Sequence, residues 1–305
     1  MGTLSDQDII DGFAGGAKEV YKHWQQNTAI ANENAIVNLL RAAIRNTPVP
    51  SLSYSFKDFN NGSGGQLNSA HWILEINRSY TNQHALPVYL FKWLCGILYH
   101  EARHAEQYFC CVQGVHLGDL VLPTALSGSG TKSQQIGTAM DISDKVVTAA
   151  ESIGSYRLKS QGEKNSIRAW FDSVWGAQRG HRSNVYKMSH LFDVGSAGNI
   201  AYTSLPEEVD AYAVQASVET AIDSAIAGVT QIVVPDSASI ATLVSTVTAP
   251  QVIGTPKAVV SSGAARSVSA LANTFTSPTV APLQKSLAQT GANNTVSSLA
   301  SLFSK

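Results

Sequence analysis

Apolar side chains recur at helical spacing through the first part of the chain, from Asp6 to about Arg45. This period is typical of amphipathic helices that bury one face. The pattern is interrupted at Asn27 and Thr28. We therefore expect two helices that are separated by a break at these two residues.

A shorter period follows Pro48 and Pro50. Leu52, Tyr54 and Phe56 alternate with serines, and this alternation predicts a half-buried strand. Residues 60–65 are Asn and Gly with one Ser, which indicates a turn or a short loop. The apolar and β-branched pattern of residues 71–77 predicts a second strand.

A long apolar helix is predicted after the two strands. Pro87 suits its first turn, and we expect the helix to run to around Val112 and to end before Gly114. Its most apolar part, Leu86 to Tyr99, is interrupted by Lys92 and is too short to cross a bilayer. We therefore predict a buried helix and no membrane span.

The rest of the globular part is predicted to be mainly helical. The pattern predicts a loop over 121–132, helices over about 136–158 and 164–175, a connection over 176–182, a short helix over about 186–192, a loop over 195–204, and a helix from Pro206 to about residue 227. The fold class expected is α+β and predominantly helical. The domain is expected to cover 1–227, with a helical insertion over about 134–192.

Residues 228–305 form a tail of different composition, which is rich in Ala, Ser, Thr and Val. After Asp223, this part of the chain carries few charges, at Asp236, Lys257, Arg266, Lys285 and Lys305. A flexible, low-complexity segment and a segment that docks on export machinery or another partner both fit this composition.

Charge and cysteine content narrow the function classes. The formal net charge is -1, so no strong field favours nucleic acid as a partner. The odd set Cys95, Cys110 and Cys111 forms no disulfide framework, which predicts synthesis in a reducing cytoplasm. The first residues lack the basic start and apolar stretch of a secretory signal, so any export is expected to proceed without a signal peptide.

The sequence His100-Glu101-Ala102-Arg103-His104 lies within the predicted apolar helix. Histidines four residues apart project from one helix face and can share one metal ion. Glu101 is one step around the helix, where it can reach a metal-bound water and act as a general base. Zinc with an open fourth position lowers the pKa of that water to near neutrality. The motif therefore predicts zinc-dependent hydrolysis of peptide bonds.

A third protein ligand is required, and the sequence offers three sources. Metzincins carry Gly and His three and six residues after the second histidine, but this chain has Gln107 and Cys110 there. Cys110 could bind zinc in principle, but it continues the same helix and would need a glycine turn to come back to the metal. Glu207 and Glu208 open the later predicted helix, which favours a carboxylate ligand from that helix. Asp210 follows closely enough to orient a ligand histidine.

The two motifs, His-Glu-Ala-Arg-His-Ala-Glu-Gln (100–107) and Leu-Pro-Glu-Glu-Val-Asp-Ala-Tyr-Ala (205–213), resemble those of gluzincin-type zincin-like domains. Similar domains occur in bacterial toxins and in proteins associated with contractile injection systems. The resemblance implies a zincin-like core with an active-site helix. It also implies that the zinc ligands are His100, His104 and Glu208, with Glu207 as the alternative to Glu208.

Several neighbours are candidates for supporting roles. Tyr202 is the first choice as a donor that stabilises the transition state, with His181 and His190 as alternatives. Gln107 shares the histidine face and is expected to contact substrate or a ligand. Arg103 is expected to be exposed, or to pair with Glu207 or Asp210.

The predicted function is that of a zinc metallopeptidase that acts on a protein or peptide substrate. Two alternatives stay open on the sequence. The protein is an exported bacterial effector or toxin whose proteolysis serves that role, or it is a non-catalytic structural or assembly protein that retains a zinc site for stability.

Overall fold

The N-terminal helical pair forms as predicted. A computed structural model describes residues 2–59, 63–123, 130–152, 154–189 and 197–229. In it, α1 spans Gln7–His23 and α2 spans Ala29–Arg45. The predicted break is the N-cap of α2, where the Thr28 hydroxyl accepts a hydrogen bond from Ala31 N at 3.2 Å.

The two predicted strands are present, and a third strand joins them. β1 (Ser53–Lys57) pairs in parallel with β3 (Ile73–Asn77), and β2 (Gly65–Asn68) pairs antiparallel with β3, giving the order β1-β3-β2. β2 begins where the sequence predicted only a turn or short loop. A side chain at Gly65 would lie 2.7 Å from Leu98 Cδ2, so glycine lets this edge strand approach the next long helix closely.

The central helix is longer than predicted. After the short α3 (Arg78–Thr81), α4 spans Val88–Leu117 and ends at Gly118, whose φ of 87° is left-handed. The prediction that this helix ends before Gly114 is wrong. A Cβ on Gly114 would lie 2.7 Å from Leu120 Cδ1, so this glycine lets Leu120, which follows the helix, pack closely against it.

The region after α4 contains shorter helices than the pattern predicted. In place of a single helix over about 136–158, the structure has α5 (Lys132–Met140), α6 (Asp144–Ala150) and α7 (Gly154–Arg157). Asp141, with φ 53° and ψ 50°, ends α5 in the left-handed conformation that Asp tolerates better than most residues. α8 (Gln161–Val174) forms as expected, with a Ser160 capping box.

Two connecting segments that were predicted as loops are helical. α9 (Arg179–Ser189) begins inside the connection predicted over 176–182, and α10 (Ala197–Thr203) lies inside the loop predicted over 195–204. Both predictions are wrong, because packing against neighbouring helices overrides the weak local pattern of these glycine-containing segments. The last described helix, α11 (Pro206–Ile226), starts with proline as predicted.

The core is built around α4. α11 packs along α4, α1 packs on α11, and β2 brings the sheet against α4. One hydrophobic cluster runs through these elements, and Trp24, Trp72 and Tyr99 are among its largest fully buried side chains. The α+β, predominantly helical class is therefore confirmed.

No helix in the described part of the chain is long and apolar enough to cross a membrane. The predicted tail, 228–305, lies outside the described residues except for its first two positions. Its role in docking or export stays a prediction.

Candidate metal centre

α4 presents two buried imidazoles on one face. His100 Nε2 and His104 Nε2 lie 3.0 Å apart, and the two rings are nearly perpendicular at 85°. The side chains are one helical turn apart, as the spacing of four residues requires. Both ring nitrogens therefore point at a common position.

Glu208 reaches the same position from the first turn of α11. Its Oε2 atom lies 3.4 Å from His100 Nε2 and 3.5 Å from His104 Nε2. The residue is only 1% exposed, and Oε2 has no hydrogen-bond partner among the described residues. The nearest ligand atoms of the three residues lie within 4.8 Å of one another. This buried group could hold a metal ion.

The pKa values of this group indicate that its buried carboxylate needs a compensating cation. Burial alone would lower the pKa of His104, but the Glu208 carboxylate outweighs it and raises that pKa to about 9. Burial would raise the pKa of Glu208, but His104 and His100 hold it well below its usual range. A buried carboxylate needs a compensating cation. Without metal a proton on His104 supplies it, and two imidazoles with one carboxylate also suit a divalent ion.

Gln107 fixes the orientation of His104. Its Oε1 atom lies 2.8 Å from His104 Nδ1, and its Nε2 atom donates to Glu207 O at 2.9 Å and to Asp210 Oδ2 at 2.8 Å. Because both partners of Nε2 are acceptors, Oε1 must be the acceptor for an Nδ1–H group. That assignment leaves the Nε2 lone pair of neutral His104 free for a metal.

Arg103 binds Asp210, which in turn accepts a hydrogen bond from Gln107. It donates from Nε to Asp210 Oδ2 at 2.8 Å and from Nη2 to Oδ1 at 3.2 Å, and it also pairs with Glu106. Arg103 is buried, so the expectation of an exposed side chain is wrong and its alternative, pairing with Asp210, is correct. Glu106 in turn accepts a hydrogen bond from Leu4 N at 2.9 Å, which ties the chain start to α4.

Glu207 is turned away from the histidines. Arg182 on α9 donates from Nε to Glu207 Oε1 at 2.8 Å, and the Glu207 side chain is fully buried. Of the two carboxylates weighed as the third ligand, the structure therefore brings Glu208 to the histidine pair.

Glu101 lies beside the group and is more exposed than the histidines. Its Oε2 atom accepts a hydrogen bond from Leu67 N at 2.8 Å. Leu67 belongs to β2, an edge strand of the sheet. The predicted general base is thus held between the histidine helix and β2, whose outer side pairs with no other strand among the described residues.

Two tyrosines complete the surroundings. Tyr202 on α10 donates its hydroxyl hydrogen to Glu208 Oε1 at 2.5 Å. Burial and the neighbouring carboxylate raise its pKa, so the hydroxyl stays protonated. The Tyr212 ring centroid lies 4.5 Å from that of His100, whose Nδ1 has no hydrogen-bond partner among the described residues. His181, an alternative donor, is exposed on α9, and His190 lies outside the described residues.

A cleft of about 310 Å³ adjoins the group on the side of α9. Its wall includes Tyr108, whose ring centroid is 6.1 Å from that of His104, and Trp175, which packs edge-on against Tyr108. Arg179 and Arg182 also line it. In the described part of the chain, Arg179 forms no side-chain ion pair or hydrogen bond. The cleft therefore combines aromatic walls with an arginine that has no partner among the described residues, and its lining also includes the acidic Asp141.

Sequence reasoning missed Tyr212, Arg182 and this cleft. Tyr212 follows Glu208 by four residues, so helical spacing could have placed both on one face. Arg182 had no such signal, because the segment around it was not predicted to be helical.

Comparison with models of known protein families, with curated proteins and with solved structures found no match for this chain.

Proposed function

We propose that this protein is a zinc-dependent metallopeptidase of the gluzincin type. The observation that carries the proposal is the convergence of His100 Nε2, His104 Nε2 and Glu208 Oε2 on one buried position, with the Glu101 carboxylate beside it. Two histidines and one glutamate are a ligand set of catalytic zinc peptidases.

Glu101, Leu67 and Tyr202 are proposed to have separate roles beside the metal ion. A bound zinc ion supplies Lewis acidity and lowers the pKa of a coordinated water. Glu101 accepts the proton of the attacking water and passes it to the leaving amine. Leu67 N holds Glu101 Oε2 in place at 2.8 Å. Tyr202 holds Glu208 Oε1, which keeps Oε2 directed at the histidines.

Substrate binding is proposed on the Glu101 side of the group. A peptide that lies along the outer side of β2, where no other described strand pairs, would pass Glu101, because Leu67 N of that strand donates to it. A side chain of this peptide would enter the cleft lined by Trp175, Arg179 and Arg182. Arg179, which has no ion-pair partner among the described residues, favours an acidic side chain beside it, and Asp141 on the same lining would repel one.

Metal analysis tests the proposal. Purified protein should bind one zinc ion per chain, and Glu208→Ala should lose that zinc while Glu207→Ala keeps it. Glu207→Ala is the matched control, since it removes a neighbouring buried carboxylate that pairs with Arg182. Equal zinc binding by both variants would show that Glu208 is not a zinc ligand.

A structural zinc site is the second candidate, and one observation favours it. His100, His104 and Glu208 are each at most 6% exposed, a burial typical of sites that only stabilise a fold. X-ray absorption on the zinc-loaded protein separates the candidates. A fourth ligand from solvent supports catalysis, whereas a fourth protein ligand supports the structural role.

A further inference from the structure

A second cleft lies away from the candidate metal centre, between α2 and the start of β1. It encloses about 720 Å³, within the usual size range of small-molecule sites. Its apolar wall includes Ile44, Val49 and Leu52. Such a surface accommodates the hydrocarbon part of a ligand.

The charged side chains that line this cleft are all basic. Arg41 and Arg45 line it from adjacent turns of α2, and none of the described residues that line it is acidic. Neither arginine forms an ion pair with a described carboxylate. The Arg41 guanidinium lies 5.3 Å from the centroid of the Tyr54 ring, which braces it over the cleft.

Tyr54, which lines the cleft, ends in an unpaired hydroxyl. Its oxygen is buried and has no hydrogen-bond partner among the described residues. Leaving a buried hydroxyl unpaired is costly, so such a group usually has a partner that completes it. Burial raises the pKa of Tyr54 to about 12, although Arg41 opposes the shift, so the hydroxyl is a donor at neutral pH.

From these features we infer that the cleft binds a small anion with an apolar body, whose carboxylate or phosphate head contacts Arg41, Arg45 and Tyr54. The two guanidinium groups and the hydroxyl are all donors, which matches an acceptor-only head. The apolar wall takes the rest of the ligand. This site is separate from the proposed peptidase centre and does not depend on it.

Calorimetric titration of the full chain with octanoate and with octyl phosphate tests the inference. At least one should bind saturably at a single site, and the tighter of the two identifies the preferred head. Octanol, which has the chain without the charge, should bind at least about tenfold more weakly, as should acetate and inorganic phosphate, which lack the chain. Octanol binding as tightly as the anions would overturn the inference, as would the absence of saturable binding.

Variants locate the site. Arg41→Gln and Arg45→Gln should each weaken binding by about tenfold, and Tyr54→Phe should weaken it severalfold, since each removes a donor to the head. Arg157→Gln, the same exchange at an exposed residue outside the cleft, should bind as the unmodified protein does. His104→Ala should also retain binding, which excludes the metal centre as the carboxylate site. Unchanged affinity in the three cleft variants, with folding checked by thermal melting, would contradict the inference.

Discussion

Gln107 accepts a hydrogen bond from His104 Nδ1 over 2.8 Å, and its own amide hydrogens are held by α11. This contact sets the tautomer of neutral His104 and directs its Nε2 toward His100 and Glu208. Partners of this kind usually matter nearly as much as the ligands themselves. Residues that orient the proposed metal ligands should therefore affect metal binding, as the ligands themselves do.

Replacing Gln107 should weaken metal binding without removing a ligand. We expect Gln107→Ala to lower zinc affinity by about 10- to 100-fold, because His104 loses its orienting acceptor. Competition with a chromogenic chelator measures the change. Gln113→Ala is the matched control, since Gln113 is also buried on α4 but bonds Ser152 and Ser155 instead. An equal loss of affinity in both variants would show a general effect of helix destabilisation.

Removing Arg103 should destabilise the fold strongly. We expect Arg103→Met to lower the free energy of unfolding by about 3 kcal/mol, because Asp210 and Glu106 are left with an unpaired charge in or near the core. Urea denaturation measures this. The triple variant Arg103→Met, Glu106→Gln, Asp210→Asn removes the stranded charges as well and should recover much of the loss. A triple variant less stable than Arg103→Met would contradict this account of the ion pair.

The stability of the metal-free protein should depend on pH through His104. Its pKa rises from an ordinary 6.5 to about 9 in the folded protein, mainly because the Glu208 carboxylate overcomes the effect of burial. The folded state therefore binds the proton more tightly than the unfolded chain. This stabilisation is complete below pH 6.5 and is lost as pH rises toward 9.

Denaturation of metal-free protein at several pH values between 6 and 10 checks this linkage. The free energy of unfolding should fall over the window from 6.5 to 9, and His104→Gln should lack this decline. Zinc must displace the same proton, so zinc binding at pH 7 should release protons to the buffer. A free energy of unfolding that rises with pH over this window in the unmodified protein, but not in His104→Gln, would contradict this linkage.

Arg179 should influence which peptides are cleaved. We expect Arg179→Glu to reduce cleavage of peptides with an acidic residue next to the scissile bond and to favour basic ones, because a cation of the cleft is replaced by an anion. Cleavage of a peptide library, read by mass spectrometry, measures the preference. Arg168→Glu, on α8 outside this cleft, is the control. The same preference in the unmodified protein and in both variants would show that Arg179 does not influence substrate selection.

Much of the site could be predicted because it depends on local spacing. The four-residue separation of His100 and His104 places both on one helix face in any α-helix. Pro206 marked the start of α11, which put Glu207 and Glu208 in its first turn. Which of the two reaches the histidines depends on how α11 docks on α4. In the structure, Arg182 from α9 pairs with Glu207 and leaves Glu208 facing the histidines.

The parts that were predicted wrongly depend on tertiary contacts. β2 is four residues long and contains Gly65, Gln66 and Asn68, so its strand conformation depends on pairing with β3 and on close approach to α4. Gly114 resembled a helix stop but serves packing against Leu120. The helices around Arg182 and Tyr202 have little local pattern, and the cleft between α2 and β1 has none.

Glu101 is proposed to act as the base of a catalytic metal centre. The most direct test compares the peptide-cleavage rates of zinc-loaded Glu101→Gln and the unmodified protein at equal zinc content, on a peptide library. Glutamine still offers an acceptor to Leu67 N, so the local structure should be retained. We predict the same zinc content and a rate lower by about 100-fold or more. Zinc-dependent cleavage at the full rate by Glu101→Gln would contradict the claim.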